Sequence, residues 1–306
     1  MDAIDQAVAV LARGGLVAFP TETVYGLGAD ARNETAVRRI FAVKDRPPDH
    51  PLIVHIGAAD RLDEWARDVT ATARTLAATF WPGPLTLVVR RAPDVLDAVT
   101  GGLDTVGLRV PAHPMALDLL ARFRGGLAAP SANRFGRVSP TTARHVSDDL
   151  DGDVDLILDG GPCAVGVEST IVDVTAAPLI LRPGGIAAED IERVLQMPVR
   201  ADEAGPARAP GMLQSHYAPH CRVEVVRLDD AEARAAELTE LGNTVRVLDA
   251  SDAITFAPRL YAELRQADAD GIDVILATLP DAFGVGAAVA DRLRKAAAPR
   301  ELDDRP

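Results

Sequence analysis

The sequence predicts an α/β protein in two parts, a larger domain built on a twisted mixed sheet with helices and a small C-terminal βαβαβα unit. Several strand-like runs before residue 198 follow one another without an intervening helix, which favours a mixed sheet over a strictly doubly wound one. From residue 221 onward, strand-like and helical stretches alternate regularly. Between them, residues 198–210 are Ala, Gly, Pro, Asp, Glu and Arg without periodicity, the composition of a linker. The expected division is therefore 1–198, a linker at 199–220, and 221–306, and a chain of 306 residues agrees with two domains at roughly 150 residues each.

Residues 3–13 carry apolar side chains at helical spacing and stop at Gly14-Gly15, after which Leu16-Val17-Ala18-Phe19 reads as a buried strand. Residues 20–28 read as a loop, dense in hydroxyls and closed by two glycines that permit close approach of a ligand. Asn33 is a good N-cap for a helix through Val37, Ile40 and Phe41. Further strands are expected at 51–56, 85–90, 106–110, 127–129, 156–158, 171–174 and 179–181, with helices at 70–80 and 115–123. The tail gives strands at 223–227, 244–248 and 273–277 and helices at 229–241, 258–267 and 286–297.

The balance of 48% apolar and 25% charged residues is that of a folded protein. Neither a basic, apolar leader at Met1-Asp2-Ala3-Ile4-Asp5 nor an apolar run near the roughly 20 residues of a membrane span is visible, so a cytoplasmic protein is expected. Cys163 and Cys221 lie far apart with no companion ligands, which points to neither a disulfide framework nor a zinc site. A net charge of −13 argues against a broad nucleic-acid or anionic-membrane footprint, while a local basic pocket remains compatible with it.

Chemistry concentrates in loops beside strands. The hydroxyl-rich run Pro20 to Gly28 is either a site loop or an ordinary polar turn. Lys44 and Arg46 sit two residues apart where Pro47 stops a helix, and can converge on a polyphosphate if the chain turns; otherwise they form a solvated helix end. Ser131 and Asn133 follow an apolar strand and offer donors and acceptors, with Ser139 shortly beyond. Arg109 stands alone between apolar strand residues, a charge for which an anionic ligand would be a partner. There is no G-x-x-x-x-G-K-[ST] loop, no zinc-hydrolase motif and no Ser-His-Asp order. The Gly284-Val285-Gly286 run lacks the full dinucleotide-binding pattern and reads as helix packing.

Eight motifs occur in order: Pro20-Thr-Glu-Thr-Val-Tyr-Gly-Leu-Gly28, Lys44-x-Arg46-Pro47, Pro51-Leu-Ile-Val-His55, Trp81-Pro-Gly-Pro-Leu-Thr86, Leu108-Arg-Val-Pro111, Ala129-Pro-Ser-Ala-Asn133, Glu168-Ser-Thr-Ile-Val-Asp173 and Leu181-Arg-Pro-Gly184. Over about residues 4–198 they closely resemble the YrdC-like family. The run from Pro210 to Pro219 with the small, Rossmann-like tail domain resembles the longer, two-domain branch of the threonylcarbamoyl-AMP synthases. The resemblance implies an ATP-dependent nucleotidyltransferase making L-threonylcarbamoyladenylate from L-threonine, bicarbonate and ATP with Mg2+. Its product would go to a downstream tRNA threonylcarbamoyl-transfer complex, without stable nucleic-acid or membrane binding by this chain.

By the same resemblance, Lys44 and Arg46 carry catalysis and, with Ser131 and Asn133, line the ATP cavity. His50, Thr105, Ser139, Arg182 and Tyr217 match further ATP contacts, and no metal ligand is implied. Thr23, His55, Arg109 and Ser169, with the backbone at Ala129, match the L-threonine positions. Position 50, often Asn in the family, is His50 here, and Leu213-Gln214-Ser215 replace basic residues of the linker motif, so only His216, Tyr217 and Pro219 are carried over from it. An RNA-binding module, the rival from another class, would need a Lys/Arg stripe with aromatics, and aromatics make up 4% of the chain. A carbamoyl-transfer domain of the hydrogenase-maturation type, the rival within the fold family, would be expected beside acylphosphatase and zinc segments, which this sequence does not contain.

Overall fold

A computed structural model describes residues 2–201 and 217–299. Helix α1 (Ala3–Ala12) opens on a capping box, Asp2 accepting from the Asp5 amide at 2.8 Å, and leads into β1 (Val17–Phe19) and β2 (Gly26–Asp30). Then come α2 (Glu34–Lys44), β3 (Ile53–His55), α3 (Ala71–Phe80), β4 (Leu85–Arg90), the single turn α4 (Asp97–Thr100) and β5 (Thr105–Arg109). Next are α5 (Pro114–Phe123), β6 (Leu127–Ala128), α6 (Ala143–Leu150), β7 (Leu156–Ile157), β8 (Thr170–Asp173), β9 (Leu179–Arg182), α7 (Ala188–Leu195) and β10 (Arg200–Ala201). The strands make one ten-stranded sheet ordered β10-β9-β8-β4-β5-β3-β6-β2-β1-β7. Parallel and antiparallel pairings mix within it: β3 and β4 run parallel to β5 and β8 respectively, while β4 and β5 are antiparallel.

Both faces of this sheet are covered. Along β1, Ala18 joins a core containing Trp65, Leu76 and Val172, while Val17 and Phe19 join a second core under α1 and α5 with Leu11 and Leu120. That alternation is the two-residue period of a strand buried on both sides.

The expected loop at 20–28 is corrected in its second half, because Gly26 and Gly28 open β2. Glycine pairs read as loop by propensity, but here the missing side chains make room for a ring: a Cβ on Gly28 would stand 2.8 Å from Phe19 Cε1. Phe19 in turn meets His55 edge to face, 5.8 Å between ring centres. Helices α6 and α7 went unmarked by periodicity because they bury so little, Val146 and Leu150 in one and Ile191 in the other. The expected linker also contains order where it is described: β10 pairs with β9, and Ala218 bridges to Arg137.

The C-terminal part runs β11 (Arg222–Val225), α8 (Ala231–Glu240), β12 (Val245–Leu248), the single turn α9 (Ala253–Phe256), α10 (Leu260–Ala269), β13 (Val274–Ala277) and α11 (Gly286–Ala297). Its three strands are parallel in the order β11-β13-β12. It does not stand apart, since its core continues into Val24, Val138 and Val167 of the larger domain. At Gly166 (φ +74) a Cβ would stand 2.3 Å from the Ala257 carbonyl oxygen, so the two backbones meet there directly. Arg265 adds a two-pronged pair to Asp149 at 2.6 and 2.9 Å.

Candidate active site

The pairing register assembles the site. His55 and Arg109 close β3 and β5 opposite each other, and β4 carries Thr86 alongside, with Thr86 opposite Ile171 and Ile171 opposite Arg182. One end of five strands therefore presents His55, Arg109, Thr86, Ser169 and Arg182 along a common line. The turns after β1, α2 and β6 close over it and line a partly open cavity, which Tyr217 borders from the C-terminal side.

Helix α2 ends on Asp45 in the left-handed region (φ 53, ψ 44), with the Arg46 amide bonded back to the Phe41 carbonyl at 3.0 Å. This tight turn is what brings Lys44 and Arg46 into one cavity despite their spacing. Lys44 is buried, and its Nζ donates to the Ser131 carbonyl at 2.6 Å and to the Asn133 carbonyl. Burial, reinforced by the nearby Arg46 charge, pushes its pKa well below the usual lysine value. Arg46 donates from Nη2 to the Pro51 carbonyl at 3.1 Å and lies over the Phe135 ring, and burial lowers its pKa to about 10.

Arg109 has a partner within the chain. Its Nη2 meets Glu22 Oε1 at 2.6 Å, its Nε donates to the Gly83 carbonyl at 3.3 Å, and the Ala112 amide donates to Glu22 Oε2 at 2.9 Å. Burial would raise the Glu22 pKa, but Arg109 and that amide outweigh it and hold the carboxyl below its ordinary value. The expectation of a lone charge awaiting an anion is corrected accordingly: Glu22 balances Arg109, while Nη1 has no partner among the described residues. Thr23 is buried beside them and bonds Thr21 hydroxyl to hydroxyl at 2.8 Å.

Three buried polar atoms on the cavity wall have no hydrogen-bond partner among the described residues: Arg46 Nε, His55 Nδ1 and Asn133 Oδ1. Buried polar groups are nearly always satisfied, so these are atoms that a polar ligand in the cavity would satisfy. Across the cavity, Ser169 Oγ bonds Thr86 Oγ1 at 2.8 Å, and Arg182 Nη2 donates to the Ser169 carbonyl at 2.8 Å. Gly184 is required behind them, since a Cβ would fall 2.3 Å from the Ser169 carbonyl carbon and the Thr170 nitrogen.

Residues 9–184 match the Sua5–YciO–YrdC family model, described as telomere recombination, and residues 186–298 match that of the threonylcarbamoyl-AMP synthase C-terminal domain. The threonylcarbamoyl-AMP synthase of Pyrococcus abyssi is 44% identical over 95% of this chain and 92% of its own length. The chain belongs to the threonylcarbamoyl-AMP synthase family. The Bacillus subtilis synthase is 41% identical over 98% of this chain and 94% of its own. The crystal structure of P. abyssi Sua5 complexed with L-threonine superposes with a TM-score of 0.92 at 43% identity, covering 96% of this chain and 94% of that one.

Of the positions that resemblance to the synthases singled out, Thr23, Lys44, Arg46, His55, Arg109 and Ala129 line the cavity, as do Ser131, Asn133, Ser169, Arg182 and Tyr217. His50, Thr105 and Ser139 stand off its wall. His50 lies behind Phe135, 5.5 Å between ring centres. Thr105 starts β5 opposite Arg90, four residues or roughly 13 Å along the strand from Arg109. Ser139 is buried and donates to Glu168 Oε1 at 2.7 Å. His216 lies outside the described residues. Glu22, Glu168 and Phe135 were not singled out from the sequence. Both glutamates lie inside the family motifs, where the neighbouring hydroxyls carry the stronger local signal.

A buried histidine in the site and a partly buried one outside it are expected to make the fold acid-sensitive. Burial, with Arg109 adding, lowers the His55 pKa to about 3, and burial, with Arg265, lowers that of His145 to about 4. An unfolded histidine takes up a proton below about 6.5, so between that pH and the folded values the unfolded state binds more protons. Stability is therefore expected to fall as pH drops below 6.5, by roughly 2 kcal/mol for His55 between pH 6.5 and 5 and by less for His145, whose partial exposure screens its charge. Denaturant unfolding at pH 7.5 and 5.0 checks this. His55→Gln should narrow the difference, and equal stability of wild type at both pH values would refute the buried neutral state.

Proposed function

We infer that this chain joins L-threonine, bicarbonate and ATP into L-threonylcarbamoyladenylate with release of pyrophosphate, the intermediate for threonylcarbamoyladenosine next to the tRNA anticodon. The observation that carries the reading is the set of unsatisfied polar atoms on Arg46, His55 and Asn133 inside one cavity that also holds Lys44, Arg109 and Arg182. A zwitterion and a polyphosphate are the ligands such a wall would satisfy.

L-Threonine would lie against Thr23, His55, Ser169 and the backbone at Ala129, its carboxylate on Arg109, whose Nη1 is the donor left over after Glu22 and Gly83. ATP would lie along Lys44, Arg46, Ser131 and Asn133, reaching Arg182 and Tyr217. His50 would support it from behind Phe135, and Ser139 through Glu168. Thr105 would be reached only by the far end of the nucleotide. The neutral threonine amine attacks the bicarbonate carbon, forming a carbamate and expelling water. A carbamate oxygen then attacks the α-phosphorus, and the bond to the β-phosphate oxygen breaks with its electron pair leaving on pyrophosphate. The protein's part is to hold the reactants in line and neutralise charge with Lys44, Arg46 and Arg182.

Among the described residues no group of three or more His, Cys, Asp and Glu side chains converges as a metal site would. Magnesium, as the resemblance implies, would come with the phosphates as part of the substrate. No helix of the described residues is long and apolar enough to cross a membrane, and the reaction would take place in the cytoplasm, with the product passed to a threonylcarbamoyl-transfer complex. We assign catalysis to residues 1–198, with 199–220 as tether and 221–306 as the smaller domain.

Pyrophosphate release by the purified chain with ATP, magnesium and bicarbonate tests the reading. Release is expected only when L-threonine is present, together with threonylcarbamoyladenylate in the products. Absent or threonine-independent release would overturn it.

A further inference from the structure

We propose that Arg292 and Tyr261 of the C-terminal domain are positioning residues for the nucleotide, acting through Glu168 on the cavity wall. The proposal rests on the ATP-dependent reading above.

Glu168 lines the cavity from the larger domain, yet the donors that hold its carboxylate come mainly from the other domain. Tyr261 of α10 donates its hydroxyl between Oε1 and Oε2, at 2.9 and 2.7 Å, and Arg292 of α11 donates from Nε to Oε2 at 2.7 Å. The Ser139 hydroxyl supplies the remaining bond to Oε1 at 2.7 Å. The Arg292 side chain is fully buried, and its Nη2 donates to the Pro183 carbonyl at 3.0 Å, next to Arg182. One guanidinium thus ties together the two segments that form this wall, Glu168-Ser169 and Arg182-Pro183. Its central carbon lies 5.0 Å from the centre of the Tyr217 ring, and Tyr217 stacks on Tyr261 at 5.8 Å.

Charge explains why the arrangement matters for ATP. A carboxylate facing a polyphosphate site repels its ligand and competes for the cations meant for it. Glu22 is balanced by Arg109 inside the larger domain, whereas Glu168 is balanced by Arg292 across the domain boundary. Arg182 acts on Glu168 from nearby, while its Nη2 bonds both the carbonyl and the hydroxyl oxygen of Ser169. Burial would raise the Glu168 pKa, but Arg292, then Arg182 and the Ser139 hydroxyl, outweigh it and hold the carboxyl at about 2. The other titratable groups around it are Tyr261 of α10, Tyr217, and, on α11, Asp291, which pairs with Arg292, and the mostly buried Lys295, which pairs with Asp291 at 3.0 Å. Without Arg292 the largest charge holding the carboxyl down is gone and burial would push its pKa up, so the carboxylate would repel nucleotide where it is ionised and tolerate it at lower pH where it is protonated.

The test is steady-state pyrophosphate release by the full chain from pH 6 to 8.5. Arg292→Met is expected to raise the KM for ATP by about tenfold or more at the alkaline end, with recovery at the acid end, against a flatter wild-type profile. The double variant Glu168→Gln/Arg292→Met removes the uncompensated charge and should restore the KM for ATP across the range, and Arg292→Lys should restore part of it. A purely structural pair predicts otherwise: kcat and both KM values worsen together without pH recovery, and the double variant is no better than the single. That result, or an unchanged KM in Arg292→Met, overturns the proposal. If Arg292→Met does not fold, Tyr261→Phe, which removes only a hydroxyl, must show a smaller rise in the KM for ATP, and no rise counts against the proposal. Failure of the functional reading would look different, as a wild type without threonine-dependent release.

Discussion

Arg109→Met is expected to abolish threonine-dependent turnover and to destabilise the fold at the same time, and the two effects separate. The side chains of Arg109 and Glu22 are 5% and 11% exposed and 2.6 Å apart. Removing the guanidinium leaves Glu22 buried with only backbone amides, its own and that of Ala112, to balance it, a loss of about 3–5 kcal/mol for breaking a buried pair from one side. Threonine would lose the cation for its carboxylate, raising its KM by about a hundredfold or more. The double variant Arg109→Met/Glu22→Gln should recover most of the stability, because no uncompensated charge remains, and none of the threonine affinity. Urea denaturation and pyrophosphate release against threonine concentration decide it. Turnover regained in the double variant would make Arg109 a structural partner of Glu22 and remove it from the site.

Lys44→Met should produce the opposite combination, a large kinetic loss with little loss of stability. The ammonium is buried between the Ser131 and Asn133 carbonyls at the point where α2 enters the cavity. Its removal should lower kcat/KM for ATP by about a thousandfold, the scale of deleting a group that neutralises transition-state charge. The two carbonyls lose a donor, but burying a lysine is itself costly, so the unfolding free energy should change by no more than about 1–2 kcal/mol. In the free enzyme the lowered pKa adds a direction: ATP binding should weaken as pH rises through it, because the ammonium is then lost. Unaltered kcat/KM in a folded Lys44→Met variant would remove Lys44 from the proposed mechanism.

The sequence by itself determined the fold class, most strands, and the wall of the cavity as far as local motifs carry it. Leu85 to Arg90 was readable because a strand buried on both faces is a nearly continuous apolar run, the C-terminal part because strand-like and helical stretches alternate along it, and Asn33 as a cap because capping is a local hydrogen bond. Lys44 and Arg46, or Ser131 and Asn133, were readable because each pair is set by one turn of chain. β2 was not legible, since its glycines follow from the Phe19 ring across the strand and propensity points the other way. The ion partners were not legible either. Glu22 meets Arg109 across 87 residues, and Glu168 meets Arg292 across 124 and Tyr261 across 93. In retrospect, Arg292 carried a signal, a charge on the buried face of α11 at helical spacing from Ala288, Val289 and Ala296. Naming its partner still required the docked domain. Which charge neutralises which was decided only by tertiary structure, because charge balance is enforced wherever groups are buried together, and that depends on distance in space with no regard to separation along the chain.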